Sequence, residues 1–591
     1  MTAKSRPGTP YYLIAIGLIA AGPALAQGTV QNSPAGLVPQ GSPLQRVLPP
    51  PRPDVGPGLQ QPALPEPRGA VPNQAVRIAS VSVVGATAYQ PGALASLTSG
   101  LTGPAVPLSQ VEQARQSILS RYREDGFVLS TVSANVDAAG NLRFTVVEGR
   151  IADVRLEGDI GPAGTQVLRF LRRLLDERPI SAATLERYVL LATDVPGVTV
   201  RTVLRPSAEE PGALTLIAQV SRHAVGGLLA ADNRAFRATG PEQLLAIGTF
   251  NSFTQFGERT ELSLLHSFNN TQTFGQAATE FFVGGSGLRV RLYAGEGGVT
   301  PSSPLREVGY DGRTRVFGVQ AGYPIIRRRQ QTLSAVVAFD AIESDIRTDV
   351  PFPATRASFD SLRVLRAGAD SALEDLLLGN GRPGINTVSL RLSQGLQGLG
   401  ASQPGNPAAG RLGERPDFFK FNAEITRTQT LFQPWEGASV ALFGLVAGQV
   451  SNSVLPPAEK FFLGGIRYNR GFYAGEVTGD NALTLSAELQ LNTGFQFEAF
   501  GRSLDVNTQF YLFHDWGQTW ENRSTDANRR LQSAGGGVRA QLTQYTEFDL
   551  EGVARFTRNP QGTTSTTTGG NTGRISPLNS QAVYWRVLTR F

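Results

Sequence analysis

Two short stretches of this chain carry residue types that could do specific chemistry. One is FFLGGIRYNRGFYAGEVTGD at 461–480, where Arg470 precedes Gly471 and the aromatic pair Phe472 and Tyr473. The other is DVNTQFYLFHDWG at 505–517. There Asn507, Gln509, Tyr511, Phe513, Asp515 and Gly517 share one parity and Val506, Phe510 and Leu512 the other, so an extended strand turns its polar set to one side. The chemistry on offer is recognition. A guanidinium is a planar fork of donors, and a carboxylate facing a narrow, partly dehydrated space needs such a partner. Arg470 is the expected partner of Asp515, carried at the tip of a loop spanning 452–480 whose glycines permit tight turns. Loops of that length are functional or disordered, and this one is dense in specific residues.

Catalytic and cofactor chemistry finds little support. There is no Cys, and His223, His266 and His514 are scattered without ligand spacing, so neither a metal site nor a catalytic triad is expected. Gly379, Gly381 and Gly384 fit a G-x-G-x-x-G pattern, but Pro383 and the strand pattern after it leave no helix N-terminus to hold a phosphate. No phosphate loop of the G-x-x-x-x-G-K-[ST] type occurs. The formal charge of +6 with dispersed arginines gives no nucleic-acid footprint. The chain reads as a non-enzyme without metal or cofactor.

The elements that must position Arg470 and Asp515 differ along the chain. Lys4 and Arg6, the eleven-residue apolar run at 11–21, Gly22-Pro23 and the small-residue site Ala24-Leu25-Ala26 read as a signal peptide over 1–26. Residues 27–75 are rich in Pro, Gly, Gln and Ala and read as a flexible periplasmic linker without a convincing amphipathic helix. Residues 76–150 follow the order strand (76–85), helix, hairpin. Ser109 and Glu112 are spaced as a capping box, Val111, Ala114, Ile118, Leu119 and Tyr122 share a helical face, and Gly126 stands at its end. The order recurs over 151–222: strand 151–158, helical patterns 165–177 and 181–194, then strands 198–206 and 213–221. Two α+β modules therefore stand in tandem.

Beyond His223 the helical pattern stops. In ALTLSAELQLNT (482–493) Leu483, Leu485, Ala487, Leu489 and Leu491 alternate with Thr484, Ser486, Glu488, Gln490 and Asn492. About sixteen such segments lie between 226 and 591, most near ten residues, the length of a tilted strand crossing a bilayer. Charge is sparse at 17% and Gly is abundant, so residues 223–591 read as a closed transmembrane β-barrel with both ends on the side of the modules. Arg327, Arg328 and Arg329 are expected in a periplasmic turn facing solvent or headgroups, and 562–573 in an extracellular loop.

At this point the chain resembles, over about 76–591, the TpsB-type two-partner-secretion outer-membrane transporters of the BamA-like superfamily, which export haemolysins and filamentous adhesins. Weaker marks are Tyr122 to Phe127, Glu148-Gly149, Asp232-Asn233-Arg234 and Gly240. The stronger are Arg470-Gly471-Phe472, matching the family's [V]-R-G-[FY] loop tip with Asn469 in place of the usual Val, and Phe513, Asp515 and Gly517, matching its F-x-D-x-G strand motif. The resemblance implies an all-β, sixteen-stranded antiparallel transmembrane barrel preceded by two periplasmic α+β POTRA domains. It implies an in-folded loop latched by Arg470, Gly471, Phe472, Phe513, Asp515 and Gly517, and export of an unfolded TpsA-like secreted partner without ATP. POTRA modules offer strand edges to extended substrates. The expected receiving surface is the second module, through strand 213–221 or the groove beside TQVLRFLRR, with Val167, Phe170, Leu171, Leu214 and Leu216 as candidate contacts. The remaining expected partners are outer-membrane lipid and, through Phe591 at a strand end, the barrel-assembly machinery, with the protein a monomer. The alternative is a BamA/TamA-like insertase, which would be expected to carry more modules than two.

Overall fold

The computed structural model describes residues 42–47, 55–56, 74–302, 305–349, 355–499, 502–560, 565–566, 572–573 and 577–591. The expected signal peptide, most of the Pro-rich segment and most of 562–573 lie outside them.

The alternating stretch expected as one strand over 76–85 is two. Ala75–Ile78 pairs with Gly103–Pro107, while Ser80–Val84 runs parallel to Asn141–Val147 in a separate three-stranded sheet. Helix Leu108–Glu124 buries Val111, Ala114, Ile118, Leu119 and Tyr122 against it, the face that helical spacing requires. The capping box does not form. Pro107 holds the N-cap position with φ −63°, so Ser109 is already inside the helix and Glu112 bonds Arg115 at 2.8 Å instead. Gly126 ends the helix at φ +91°, a conformation glycine adopts without a Cβ penalty. Glu148 accepts from the Tyr122 hydroxyl at 2.7 Å and the Ala88 amide at 2.8 Å. Burial, reinforced by that bond, raises the Tyr122 phenol well above its ordinary range.

In the second module the sheet order places Ala213–Arg222 in the centre, parallel to Arg150–Glu157 and antiparallel to Val198–Pro206. Helices Gly164–Leu171 and Ala182–Thr193 cover one face, the second capped by the Ser181 hydroxyl, which accepts from the Thr184 amide at 3.2 Å. The core of this module continues into the next domain. Phe170 meets Phe282 edge to face with ring centres 5.1 Å apart.

Phe282 belongs to strand Gln272–Val283 of a closed, antiparallel sixteen-stranded barrel. The barrel is sealed where Gln581–Arg590 pairs with Val225–Asp232, and the Phe591 amide and carbonyl bond Gly227 at 3.1 and 2.8 Å. Closure leaves no unpaired sheet edge, the condition for crossing lipid with strands. Leu483, Leu485, Leu489, Phe510 and Leu512 point outward and are exposed, while Thr484, Glu488, Tyr511, Phe513 and Asp515 are buried inside. Val506, on the same parity as Phe510 and Leu512, is buried rather than exposed. An outer surface of exposed leucines and phenylalanines is anomalous in water and ordinary in a bilayer. No helix among the described residues is long and apolar enough to cross a membrane.

Candidate functional site

The loop between strands Ser439–Ser451 and Asn481–Ala499 turns back into the barrel. Its arms pair as a small hairpin, Phe461–Leu463 with Val477–Gly479. Phe461, Leu463, Phe472 and Val477 form an apolar cluster with Leu445 and Leu531 of the barrel wall. Burial of these side chains, about 1.5–3 kcal/mol for each large one, holds the loop inward.

At its tip Asn469 takes φ +52°, a left-handed conformation that Asn tolerates and a β-branched residue does not. The Asn469 side chain accepts from the Thr484 hydroxyl at 3.1 Å and packs onto Gly517, where a Cβ would collide with it. The Arg470 amide donates to Asp515 Oδ2 at 2.8 Å, and its guanidinium donates to the two Asp515 oxygens at 3.1 and 3.0 Å. The same guanidinium bonds Glu488, bonds the Ser486 hydroxyl at 3.0 Å, and lies 4.1 Å from the centre of the Phe513 ring. Asp515 and Glu488 are almost wholly buried. Arg539 completes the group, donating to Glu488 at 2.7 and 3.1 Å and stacking 3.8 Å over Tyr511. Two cations and two anions therefore neutralise one another, the arrangement under which buried charges persist.

Gly471 is fixed from the strands that follow in the barrel wall. Its carbonyl accepts from Arg555 Nε at 2.6 Å and from the Tyr584 hydroxyl at 3.2 Å, and a Cβ there would stand 2.5 Å from Ser533. Arg234 adds the Ala474 amide through its carbonyl at 3.0 Å, bonds Glu551 at 2.9 Å and lies 4.1 Å from the Tyr584 ring centre. The structure thus brings Arg470, Gly471, Phe472, Phe513, Asp515 and Gly517 into one contact group inside the barrel. It adds Glu488, Ser486, Arg539, Arg555 and Tyr584. Glu488 carried a signal, since it shares the polar parity of its strand. Tyr584 likewise shares the polar parity of the last strand with Arg586, but nothing in sequence says that it or Arg555 meets the loop tip, because closure of the barrel decides that.

Three expectations are corrected. The linker is not wholly periplasmic: Leu44–Val47 is a single helical turn within the barrel, with Leu44 and Val47 packed on Leu245, Ile247, Leu265 and Leu588. Two apolar side chains suffice to seat it although the segment lacks an amphipathic pattern. With the loop, this turn borders a lumen cavity of about 590 Å³ lined by Arg46, Glu261, Arg291, Asp340, Arg366 and Lys420 among others. Second, Arg327 faces neither solvent nor lipid. It is buried and donates to both Asp194 oxygens at 2.8 and 2.6 Å, bolting the second module to the barrel. Third, Val167, Phe170, Leu171 and Leu216 are fully buried and Leu214 partly so. They are the core of the module, and Ala213–Arg222, paired on both sides, has no edge to offer. Alternating hydrophobicity marks a strand and not its place in the sheet.

Comparisons with known proteins agree with this architecture. A family profile described as haemolysin secretion/activation protein ShlB/FhaC/HecB matches residues 215–540, more than half of the chain, and one for the ShlB-type POTRA domain matches 76–149. The Heme/hemopexin transporter protein HuxB of Haemophilus influenzae (strain 86-028NP) is 21% identical over 455 residues, covering 75% of this chain and 77% of that protein. Among solved structures, CdiB from Escherichia coli superposes with a TM-score of 0.69 at 16% identity, over 90% of this chain and 94% of its own. CdiB from Acinetobacter baumannii gives 0.59 at 16% identity, over 88% and 90%. A ShlB-type POTRA domain, a second α+β module and a closed sixteen-stranded barrel with an in-folded arginine loop leave one assignment: the chain belongs to the haemolysin secretion/activation family ShlB/FhaC/HecB and is a TpsB-type transporter of the outer membrane.

Proposed function

We propose that this transporter exports a TpsA-like secreted polypeptide in unfolded form, received by the second POTRA module and passed through the barrel without ATP. The observation that carries the reading is the occupied lumen. An extended chain crossing about 30 Å of hydrocarbon must pass where the in-folded hairpin and the Leu44–Val47 turn already pack against the inner wall. Passage therefore requires the loop, the 44–47 turn or both to move, and Arg470 with Asp515 and Glu488 is a latch that fixes the resting position. Folding of the cargo outside supplies the direction.

Reception falls to an edge of the second module, whose outer strands Arg150–Glu157 and Val198–Pro206 each pair on one side only; we place it at Val198–Pro206, which exposes Thr199, Arg201, Val203 and Arg205. An incoming strand bonding to its backbone would be bound with little regard to sequence. The test compares the secreted proteome of cells lacking the chromosomal copy with that of cells complemented by the wild type. Loss of one large secreted protein, restored on complementation, is expected. An unchanged secretome accompanied by depletion of other outer-membrane barrels would instead favour an insertase.

A further inference from the structure

Residues 396–418 connect strands Gly384–Gly395 and Phe419–Phe432 at the barrel end remote from the modules, and therefore outside the cell. Their first half is fastened to the barrel's own wall. The Ser402 amide donates to Ser361 at 2.7 Å, the Phe359 amide to Ala408 at 2.6 Å and the Gly410 amide to Asp360 at 3.0 Å. From that base Arg411 reaches across the mouth, with its side chain only 8% exposed.

Its guanidinium closes the neck of the in-folded loop. Nη1 donates to the Leu455 carbonyl at 2.8 Å and to Asp480 at 2.7 Å, near the first and at the last residue of that loop. The Leu455 amide meets the same Asp480 oxygen at 2.9 Å. Nη2 bonds the other Asp480 oxygen at 3.2 Å and also Glu521 and Asp526 of the next connection, each at 2.8 Å. Three carboxylates from two segments thus converge on one cation delivered by a third, with Lys460 adding a bond to Glu521 at 2.7 Å. Without Arg411 the buried acids Asp480 and Glu521 would face each other with too little opposing charge, and like charges at close range separate.

We propose that residues 396–418 form an outer gate leaf and that Arg411 is its pin. While the pin holds the neck, the tip at Arg470 has no route out of the lumen, so the neck must open before the tip withdraws. This rests on the export reading, which supplies the reason for opening, but the test needs no cargo.

The full-length protein is placed in planar bilayers and its potassium chloride current recorded. Arg411→Ala, with folding checked by heat-modifiable mobility, is expected to raise open probability about tenfold, the effect of a modest shift in a two-state equilibrium. A second device does not depend on that variant folding. The Arg415 amide bonds the Val454 carbonyl at 2.9 Å across the two loops, and the chain contains no cysteine. The pair Arg415→Cys and Val454→Cys should therefore oxidise to a single clamp between neighbouring residues. Openings are expected to fall about tenfold when the clamp is oxidised and to return with reductant. Equal currents in the oxidised and reduced clamp, or an unchanged current in folded Arg411→Ala, would overturn the gate. Neither result touches export itself, which the secreted proteome reports separately.

Discussion

Arg470 answers two carboxylates at once, Asp515 through three donors and Glu488 through one, and Glu488 is shared with Arg539. Such a quartet adds little net stability compared with apolar packing, but removing one member leaves buried charge uncompensated at about 3–5 kcal/mol. Arg470→Ala is therefore expected to leave the barrel assembled, since the sheet does not depend on it, and to abolish export; folded mobility and secretion of the partner are read together. Arg470→Lys keeps the charge and loses the fork, so partial export is expected. Gly517 offers a steric test of the same contact. Gly517→Ala drives a methyl into the Asn469 side chain and should loosen the loop, whereas adding Asn469→Gly removes the nearer obstacle, leaves only the movable end of Leu463, and keeps the left-handed backbone. The double variant should resist protease at the loop better than the single one. If the single variant is as resistant as wild type, the packing at Gly517 does not set the loop's position. Of these residues the motif and the strand parity made Arg470, Asp515 and Gly517 legible. Glu488 was visible only as one polar residue among several on its strand, because nothing in sequence says which lumen residue lies across from a loop tip.

At the scale of elements, the second module presents one clear distinction. Ala213–Arg222 is the more apolar strand and sits between two others, while Val198–Pro206 is an edge with Val203 exposed. A photo-crosslinking side chain at Val203 is expected to capture the exported polypeptide, and one at Leu216 to capture none. Equal capture at both positions would mean that the module unfolds during transport. The sequence showed that both strands exist, within one residue of their ends. Their order in the sheet rests on the parallel pairing of Arg150–Glu157 with Ala213–Arg222, a long-range relation that local alternation does not encode.

Across the whole molecule, the second module and the barrel share a core. Phe170 packs on Phe282, Gln166 donates to the Gly284 carbonyl at 2.9 Å, Arg187 to the Pro324 carbonyl at 2.7 Å, and Arg327 grips Asp194. Gly56 bonds the Arg329 carbonyl at 2.8 Å, so the segment that enters the lumen passes the same turn. Arg327→Asp is expected to free the module, seen as faster proteolysis at the junction and about tenfold weaker export, from the loss of a buried pair. Combining it with Asp194→Arg should recover much of both. No gain from the exchange would show that packing alone holds the joint. By itself the sequence determined the α+β and β-barrel classes of the two parts and named Arg470 and Asp515 as partners, because strand parity and helical spacing are local properties fixed by the backbone's own geometry, while the in-folding of the loop came only with the family resemblance. Only the tertiary structure decided what fills the barrel, which strands are edges and which arginines are buried in ion pairs. Those outcomes depend on closing sixteen strands into one wall, which brings residues more than a hundred positions apart within hydrogen-bonding distance, as Tyr584 and Gly471 show.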